Sequence, residues 1–435
     1  MTSERVRIGL LGCGNVGAAL VELIDQRSDA IAARTGVRLE VARVAVRSLA
    51  KERSVELAED VLTLDAAGVA VDPHVDLVVE VIGGIEPARE LVLAALKAGK
   101  PVVTGNKELL ANVGAELFTA AEDAGVDLLF EAAVAGGIPF IRPLRESLAG
   151  ERIDRILGIV NGTTNYILTR MTEAGASYAA ALAEAQSLGY AENDPTADVE
   201  GHDAAAKAAI IASIAFGVRV VAGDVYDEGI SRITTADIDY AAKMGFVIKL
   251  LAIAEQHDDP DAPGHAGEVA VRVHPAMVPV DHPLASVRDS FNAIFVEGAA
   301  VGDLMFYGRG AGGLPTASAV LGDVIDAALN RARGSHASVG TLAKARIRPV
   351  DEVESAYYLN LDVSDRPGVL AAVAGVFGRH DVSIRSMEQE GLGGEARLVF
   401  ITHIAREAAV QATIRDLHHL DSVDRITSVL RVIGG

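Results

Sequence analysis

The chain has 435 residues, more than one core normally supports, so roughly two or three domains are expected. Half of the residues are hydrophobic but only 4% are aromatic and none is tryptophan, which puts the packing onto Ala, Val, Leu and Ile, as in helix-covered parallel sheets. A formal net charge of -21 excludes nucleic acid as a partner, and a lone cysteine, Cys13, excludes an intrachain disulfide and a thiolate zinc cluster.

The charged N-terminus lacks the long apolar stretch of a signal peptide. No apolar run reaches the roughly 18 residues of a membrane span, so a soluble, cytoplasmic protein with no membrane partner is expected. Residues 5–11 read as a first strand, and a helix follows from about Asn15. Further strands are expected at 39–46, 75–81, 101–104 and 127–130 with helical segments between them, the βαβ rhythm of a parallel sheet. The fold class is therefore α/β.

Gly12, Gly14 and Gly17 form G-x-G-x-x-G directly between the first strand and the helix, with Asn15 and Val16 inside the turn. Glycines there let backbone approach a pyrophosphate, and the helix N-terminus offers unpaired N–H groups. A tight turn without a nucleotide has the same local pattern, but the repeated βαβ units favour a Rossmann dinucleotide-binding domain over residues 1–135. The second strand ends Val44-Ala45-Val46-Arg47-Ser48, where NAD-selective sites carry Asp or Glu. Arg47 and Ser48, with Lys51 nearby, suit a 2′-phosphate, so NADP is expected ahead of NAD; the alternative makes Arg47 a solvated surface charge. Ile82 and Gly83 follow the third strand, where a missing side chain lets backbone approach the cofactor. Thr104, Asn106 and Lys107 follow the fourth, at the sheet edge where open α/β folds bind ligands.

After Gly136 and Gly137 the pattern changes to alanine-rich helices and alternating strands such as 268–274, an α+β unit over 136–309. Residues 256–267 read as a surface loop within it. Asp203 and Lys207 lie four apart and share one face of an Ala- and Ile-rich helix around 204–217 that should be largely buried. A surface ion pair has the same spacing, but buried charges persist mainly when paired or functional. The glycine-rich run 308–313 and an apolar helix to about Leu329 are expected to return the chain to the first domain, completing it over about 310–332. Residues 333–354 read as a linker. From 355 to 435 the order is strand, turn, helix, strand, strand, helix, strand, the size of a ferredoxin-like domain.

Four segments in this order, TGNKELLA, EAAVAGGIP, NGTTNYIL and LGYAENDPTADVEGHDAAAKAAI, resemble homoserine dehydrogenases, and the likeness runs through essentially the whole chain. The run Asp365-Arg366-Pro367-Gly368-Val369-Leu370 resembles the first strand-to-helix turn of an ACT domain. The resemblance implies reversible reduction of aspartate 4-semialdehyde to homoserine with NAD(P)H, within threonine, methionine and isoleucine biosynthesis. It implies that Lys207 is the acid/base lysine, because an ammonium beside the carbonyl oxygen both stabilises developing alkoxide and donates the proton. Asp203 would hold Lys207, and Lys107 would be a second catalytic lysine that orients substrate or contacts the nicotinamide end.

By the same resemblance Glu192 binds the substrate, with Asp198 nearby. Glu131, Val134, Gly136 and Ile138 would hold a monovalent cation, sodium; a plain domain hinge is the alternative. The ACT domain implies threonine as effector at Asp365, Pro367 and Gly368, and sheet-to-sheet pairing into a homodimer or homotetramer; a purely structural dimerisation module is the alternative. Two competing functions stay open at this point: another Rossmann dehydrogenase such as an aspartate dehydrogenase, and a nucleotide-dependent metabolite sensor. The second leaves Lys107, Glu192, Asp203 and Lys207 without a task.

Overall fold

The computed structural model describes residues 4–58, 60–257, 267–340, 342–344, 346–391 and 395–434. The first unit runs β1 (Glu4–Leu11), α1 (Asn15–Thr35), β2 (Val37–Ala45), β3 (Leu62–Thr63), α2 (Ala66–Val71), β4 (Leu77–Glu80), α3 (Ala88–Lys97), β5 (Val102–Thr104), α4 (Lys107–Ala124) and β6 (Leu128–Leu129). All six strands are parallel, in the order β3-β2-β1-β4-β5-β6. Strand order reverses between β1 and β4, so the crossovers leave toward opposite sides and open a crevice beyond the strand ends. The turns at Gly12 to Gly14 and at Ile82 to Gly84 lie at that crevice, one after each strand. The two-residue β3 is too short to show in a period-two pattern.

The second unit begins with β7 (Ile153–Ile159), then α5 (Gly162–Ala174), α6 (Tyr178–Ser187), α7 (Thr196–Val199), α8 (His202–Phe216), β8 (Val218–Arg219), β9 (Tyr226–Asp227) and α9 (Thr235–Lys243). It continues with β10 (Phe246–His257), β11 (Glu268–Pro279), β12 (Phe291–Gly298) and β13 (Gly302–Arg309). Five of these strands form an antiparallel run, β13-β12-β7-β10-β11, on which α8 packs through buried alanines and isoleucines. Most of the surface loop expected at 256–267 lies outside the described residues. Gln256 and His257 instead close β10, paired with Val269 and Glu268.

Helix α10 (Gly313–Arg333) then packs against α1. Its Val320 and Val324 are fully buried in the core that also holds Ile8, Leu10 and Leu20. Burial of this kind contributes about 1.5–3 kcal/mol per side chain, which is why an apolar stripe so far along the chain returns to the first sheet. The stretch after it is not free chain: β14 (Ala343–Lys344) pairs with β8, and β15 (Arg346–Ile347) pairs with β11.

The C-terminal unit is β16 (Glu354–Ser364), α11 (Val369–Arg379), β17 (Ile384–Gly391), β18 (Glu395–Thr402), β19 (Ala405–Arg406), α12 (Glu407–Leu417) and β20 (Val423–Val432). Its sheet order, β20-β16-β18-β17, is the ferredoxin-like arrangement. Ala276 and Met277 of β11 pair in parallel with Arg431 and Val432 of β20, so the last two units share one continuous sheet. No described helix is long and apolar enough to cross a membrane.

Candidate active site

The nucleotide cradle is built of backbone. Gly12 has φ 100°, and a Cβ there would press on Ile82 and on the Val81 carbonyl. At Gly17 a Cβ would lie 2.2 Å from the Gly12 carbonyl, so the turn closes only with glycine. Gly14 caps α1 without any side-chain hydrogen bond and has open space where a Cβ would stand, leaving the N–H groups of Asn15, Val16 and Gly17 at a helix start. That surface fits a pyrophosphate.

Glu80, fully buried at the end of β4, shapes the second turn. One oxygen accepts the N–H groups of Ile82 and Gly83 at 2.8 and 3.2 Å, and the other accepts the Thr104 hydroxyl at 2.6 Å. The Thr104 side chain is fully buried against Glu80. Asn106 caps α4 by accepting the Leu109 N–H and donates to the Gly84 carbonyl at 2.6 Å, tying the two turns together. Arg47, Ser48 and Lys51 are exposed beyond β2. Arg53, missed in the sequence, donates to the carbonyls of Ser48 and Lys51, and its charge opposes the burial that raises the Cys13 thiol. It therefore ties down the turn at residues 48–51.

Gly83, Gly84, Asn106, Lys107, Lys207 and Thr316 line a cavity of about 240 Å³ between the first two units. Lys107 opens α4 and Lys207 lies one turn into α8, yet both reach the same carboxylate. Asp203 Oδ1 accepts from Lys107, and Oδ2 accepts from Lys207 at 2.7 Å and from Asn161 at 2.8 Å. Burial alone would raise the Asp203 carboxyl, but Lys207 and Lys107 outweigh it and hold the group well below the ordinary carboxylate range. For Lys107, burial opposes the charge and Asp203 overcomes it, so its ammonium is held above the ordinary lysine value. Lys207 also donates to the Val160 carbonyl at 2.7 Å and has a side chain only 13% exposed. Of its three N–H groups two are thus committed, leaving one for the cavity it lines.

Asn161 was not singled out in the sequence. It caps α5 through the Thr164 N–H and donates to both Asp203 and Asp198, the latter at 2.7 Å. Burial pushes the Asp198 carboxyl up, while Asn161 pulls it down. An Asn followed by a helical run is a readable cap, so position 161 carried a local signal. Glu192 lies on an exposed turn where its carbonyl accepts from Gln186 at 3.0 Å. Among the described residues no contact ties its carboxylate to Asp203 or either lysine.

Glu131 is buried, and its Oε1 accepts the N–H groups of Phe140 and Ile141 while Oε2 accepts that of Arg142 at 2.9 Å. A carboxylate has about four lone-pair positions, so one on Oε2 stays open to a cation. The neighbouring chain turns through left-handed Ala135 and Gly136, φ 55° and 56°, between Val134 and Ile138. Among the described residues no three His, Cys, Asp or Glu side chains cluster as a metal site. Asp365, Pro367 and Gly368 form an exposed loop into α11, with Gly368 at φ 90°.

Family models match three parts of the chain: homoserine dehydrogenase, NAD binding domain, over residues 12–131; homoserine dehydrogenase over 139–325; and the ACT domain over 357–421. The chain is 54% identical to the homoserine dehydrogenase of Corynebacterium glutamicum over 428 residues, 98% of this chain and 95% of that protein. It is 39% identical to that of Bacillus subtilis over 436 residues, 99% of each. A homoserine dehydrogenase structure from Thiobacillus denitrificans superimposes with a TM-score of 0.92 at 41% identity, covering 99% of this chain and 98% of that one. A hyperthermophilic archaeal homoserine dehydrogenase in complex with NADPH matches at TM-score 0.63 and 30% identity, over 75% of this chain and 98% of that one. The chain therefore belongs to the homoserine dehydrogenase family, oxidoreductases, and joins an NAD-binding Rossmann domain and a catalytic domain to a C-terminal ACT domain.

Proposed function

We propose that the chain reduces aspartate 4-semialdehyde reversibly to homoserine, with NADPH preferred over NADH and Lys207 as acid and base. The observation that carries this reading is Asp203, one buried carboxylate that holds two lysine ammoniums at the cavity next to the nucleotide cradle. A bound nicotinamide cofactor supplies the hydride to the aldehyde carbon. The free N–H of Lys207 stabilises negative charge on the oxygen and passes it a proton; in the reverse direction the neutral amine takes that proton back. Asp203 fixes the lysine rotamer in advance, so little reorganisation is left to the reaction. Lys107, held by the other oxygen of Asp203, orients the aldehyde or faces the nicotinamide end. Asp198 and Glu192 take the substrate α-ammonium; burial and the Asn161 bond support Asp198, while Glu192 must approach from its exposed turn.

NADP preference rests on Arg47, Ser48 and Arg53 around the 2′-phosphate position. A sodium ion held by Glu131 and the carbonyls of Val134, Gly136 and Ile138 would supply a hard positive charge that fixes this turn. Threonine at Asp365, Pro367 and Gly368 would inhibit, and pairing of ACT sheets would give a homodimer or homotetramer. Division at about residues 135, 309, 332 and 354 and cytoplasmic work in threonine, methionine and isoleucine biosynthesis belong to the same reading. The test follows NADPH oxidation with aspartate 4-semialdehyde, with NADH in parallel, and with and without threonine and sodium. No turnover of the aldehyde would sink the reaction; equal efficiency with NADH would sink the cofactor preference alone.

A further inference from the structure

We propose that a cavity at the seam between the catalytic sheet and the segment entering the C-terminal unit binds a small aliphatic carboxylate through Arg348. The cavity, about 250 Å³, opens along the edge of β11 between two short partners. There β15 pairs with Glu268 and Val269, and β9 pairs with Arg272 and Val273. Val225, Val271, Ile347 and Val353 make its apolar walls, and Arg272 and Arg348 its cationic ones.

Among the described residues, pairing of charges around this seam leaves one cation over. Arg155 pairs with Glu297 at 2.6 Å, Arg272 with Glu255 at 2.7 Å, and Arg346 with Glu268 at 3.0 Å. Arg348 has no carboxylate partner among the described residues; its backbone N–H, bonded to the Val269 carbonyl at 2.9 Å, fixes where the side chain starts. The Nε atoms of both Arg348 and Arg272 are shielded from solvent and have no hydrogen-bond partner among the described residues, and Arg272 as a whole is only 4% exposed. Among the described residues His257 nearby also has a buried Nε2 without a hydrogen-bond partner, 3.9 Å from Glu255; burial first, then Arg348, outweighs Glu255 and disfavours its charged form. Buried donors of this kind are normally satisfied. Among the described residues the one acid in the wall, Asp224, is exposed at the rim and accepts the Val221 N–H at 3.0 Å. A guanidinium with a planar donor edge beside an aliphatic wall recognises a carboxylate on a short branched chain.

Occupancy would register on both sides of the seam. Tyr226 in the wall faces Arg431 of β20, 5.4 Å from its ring centroid, and the Val353 carbonyl accepts the N–H of Glu407, the first residue of α12, at 2.9 Å. A carboxylate on Arg348 therefore pins residues 346–353 between the catalytic and C-terminal units, at a place separate from the loop at 365–368.

The test titrates the full-length protein with isobutyrate and with neutral isobutyramide, reading the melting temperature and hydrogen exchange of residues 346–353. Isobutyrate is expected to raise the melting temperature and slow exchange there, and isobutyramide to do neither. Arg348→Ala should weaken isobutyrate about tenfold or more through loss of the charge-assisted bond, and Arg348→Lys should weaken it less. Asp365→Ala should leave it unchanged. Equal responses to acid and amide, undiminished affinity in Arg348→Ala, or loss in Asp365→Ala overturns the proposal.

Discussion

Replacing Lys207 by methionine removes the ammonium and keeps most of the side-chain volume. Two of its N–H groups are held at 2.7 Å by Val160 and Asp203, so the substitution deletes the third, the donor left to the cavity that Lys207 lines. Loss of a positioned general acid costs about 10²–10⁴ in rate, and loss of an oxyanion donor about 10²–10³. Both effects belong to one atom and overlap, so kcat is expected to fall about 10³–10⁴-fold, roughly 4–5.5 kcal/mol of barrier. Folding should survive, because Asp203 keeps Lys107 and Asn161; the lost bonds cost about 1–3 kcal/mol. The assay is single-turnover oxidation of NADPH with aspartate 4-semialdehyde, alongside a direct measurement of the NADPH Kd. That Kd should stay within about threefold, since the Gly12 to Gly17 turn proposed for the pyrophosphate is separate from α8. A fall in kcat smaller than tenfold would refute the acid role, and if Lys107→Met showed the large fall instead, the proton would pass through Lys107.

Three further outcomes follow from particular contacts. Arg53→Ala should raise the KM for NADPH about tenfold or more and leave that for NADH nearly unchanged, by loss of a guanidinium–phosphate bond; an unaltered NADPH-to-NADH ratio counts against the 2′-phosphate assignment. Lys249 is 2% exposed, and burial lowers its ammonium from 10.5 to about 8. Between those values the unfolded chain binds more protons, so stability should rise with pH from about 8 to 10.5, by up to about 3 kcal/mol. Urea midpoints should show this rise, and Lys249→Met should abolish it. Deleting residues 355–435 strips β20 from β11 and leaves Glu228 without Arg431, so calorimetry should find a lower melting temperature; an unchanged melting point would show the two units to be independent.

Much of the architecture is legible in the chain because its signals are local. The turn between β1 and α1 announces itself through glycine spacing, α8 through its alanines and its Asp203 and Lys207 pair, and the C-terminal unit through the order of its elements. Site residues found by the same means are those whose chemistry sits within one turn of helix or one strand end, such as Lys107 after β5. Glu192 illustrates the limit: its place beside the reaction came from resemblance, and its exposed turn makes no described contact with the lysine cluster.

What the sequence by itself determined is the run of strands and helices, the phosphate turn and the pairing of Asp203 with Lys207 four residues on. Only tertiary packing decided that Lys107 reaches Asp203 from 96 residues away, that Glu80 clamps the turn at Ile82, and that β11 and β20 fuse two sheets. Periodicity records how a segment meets its neighbours within a few residues. The distance at which two remote side chains share one buried charge depends on how whole layers stack, and no short window of sequence holds that information.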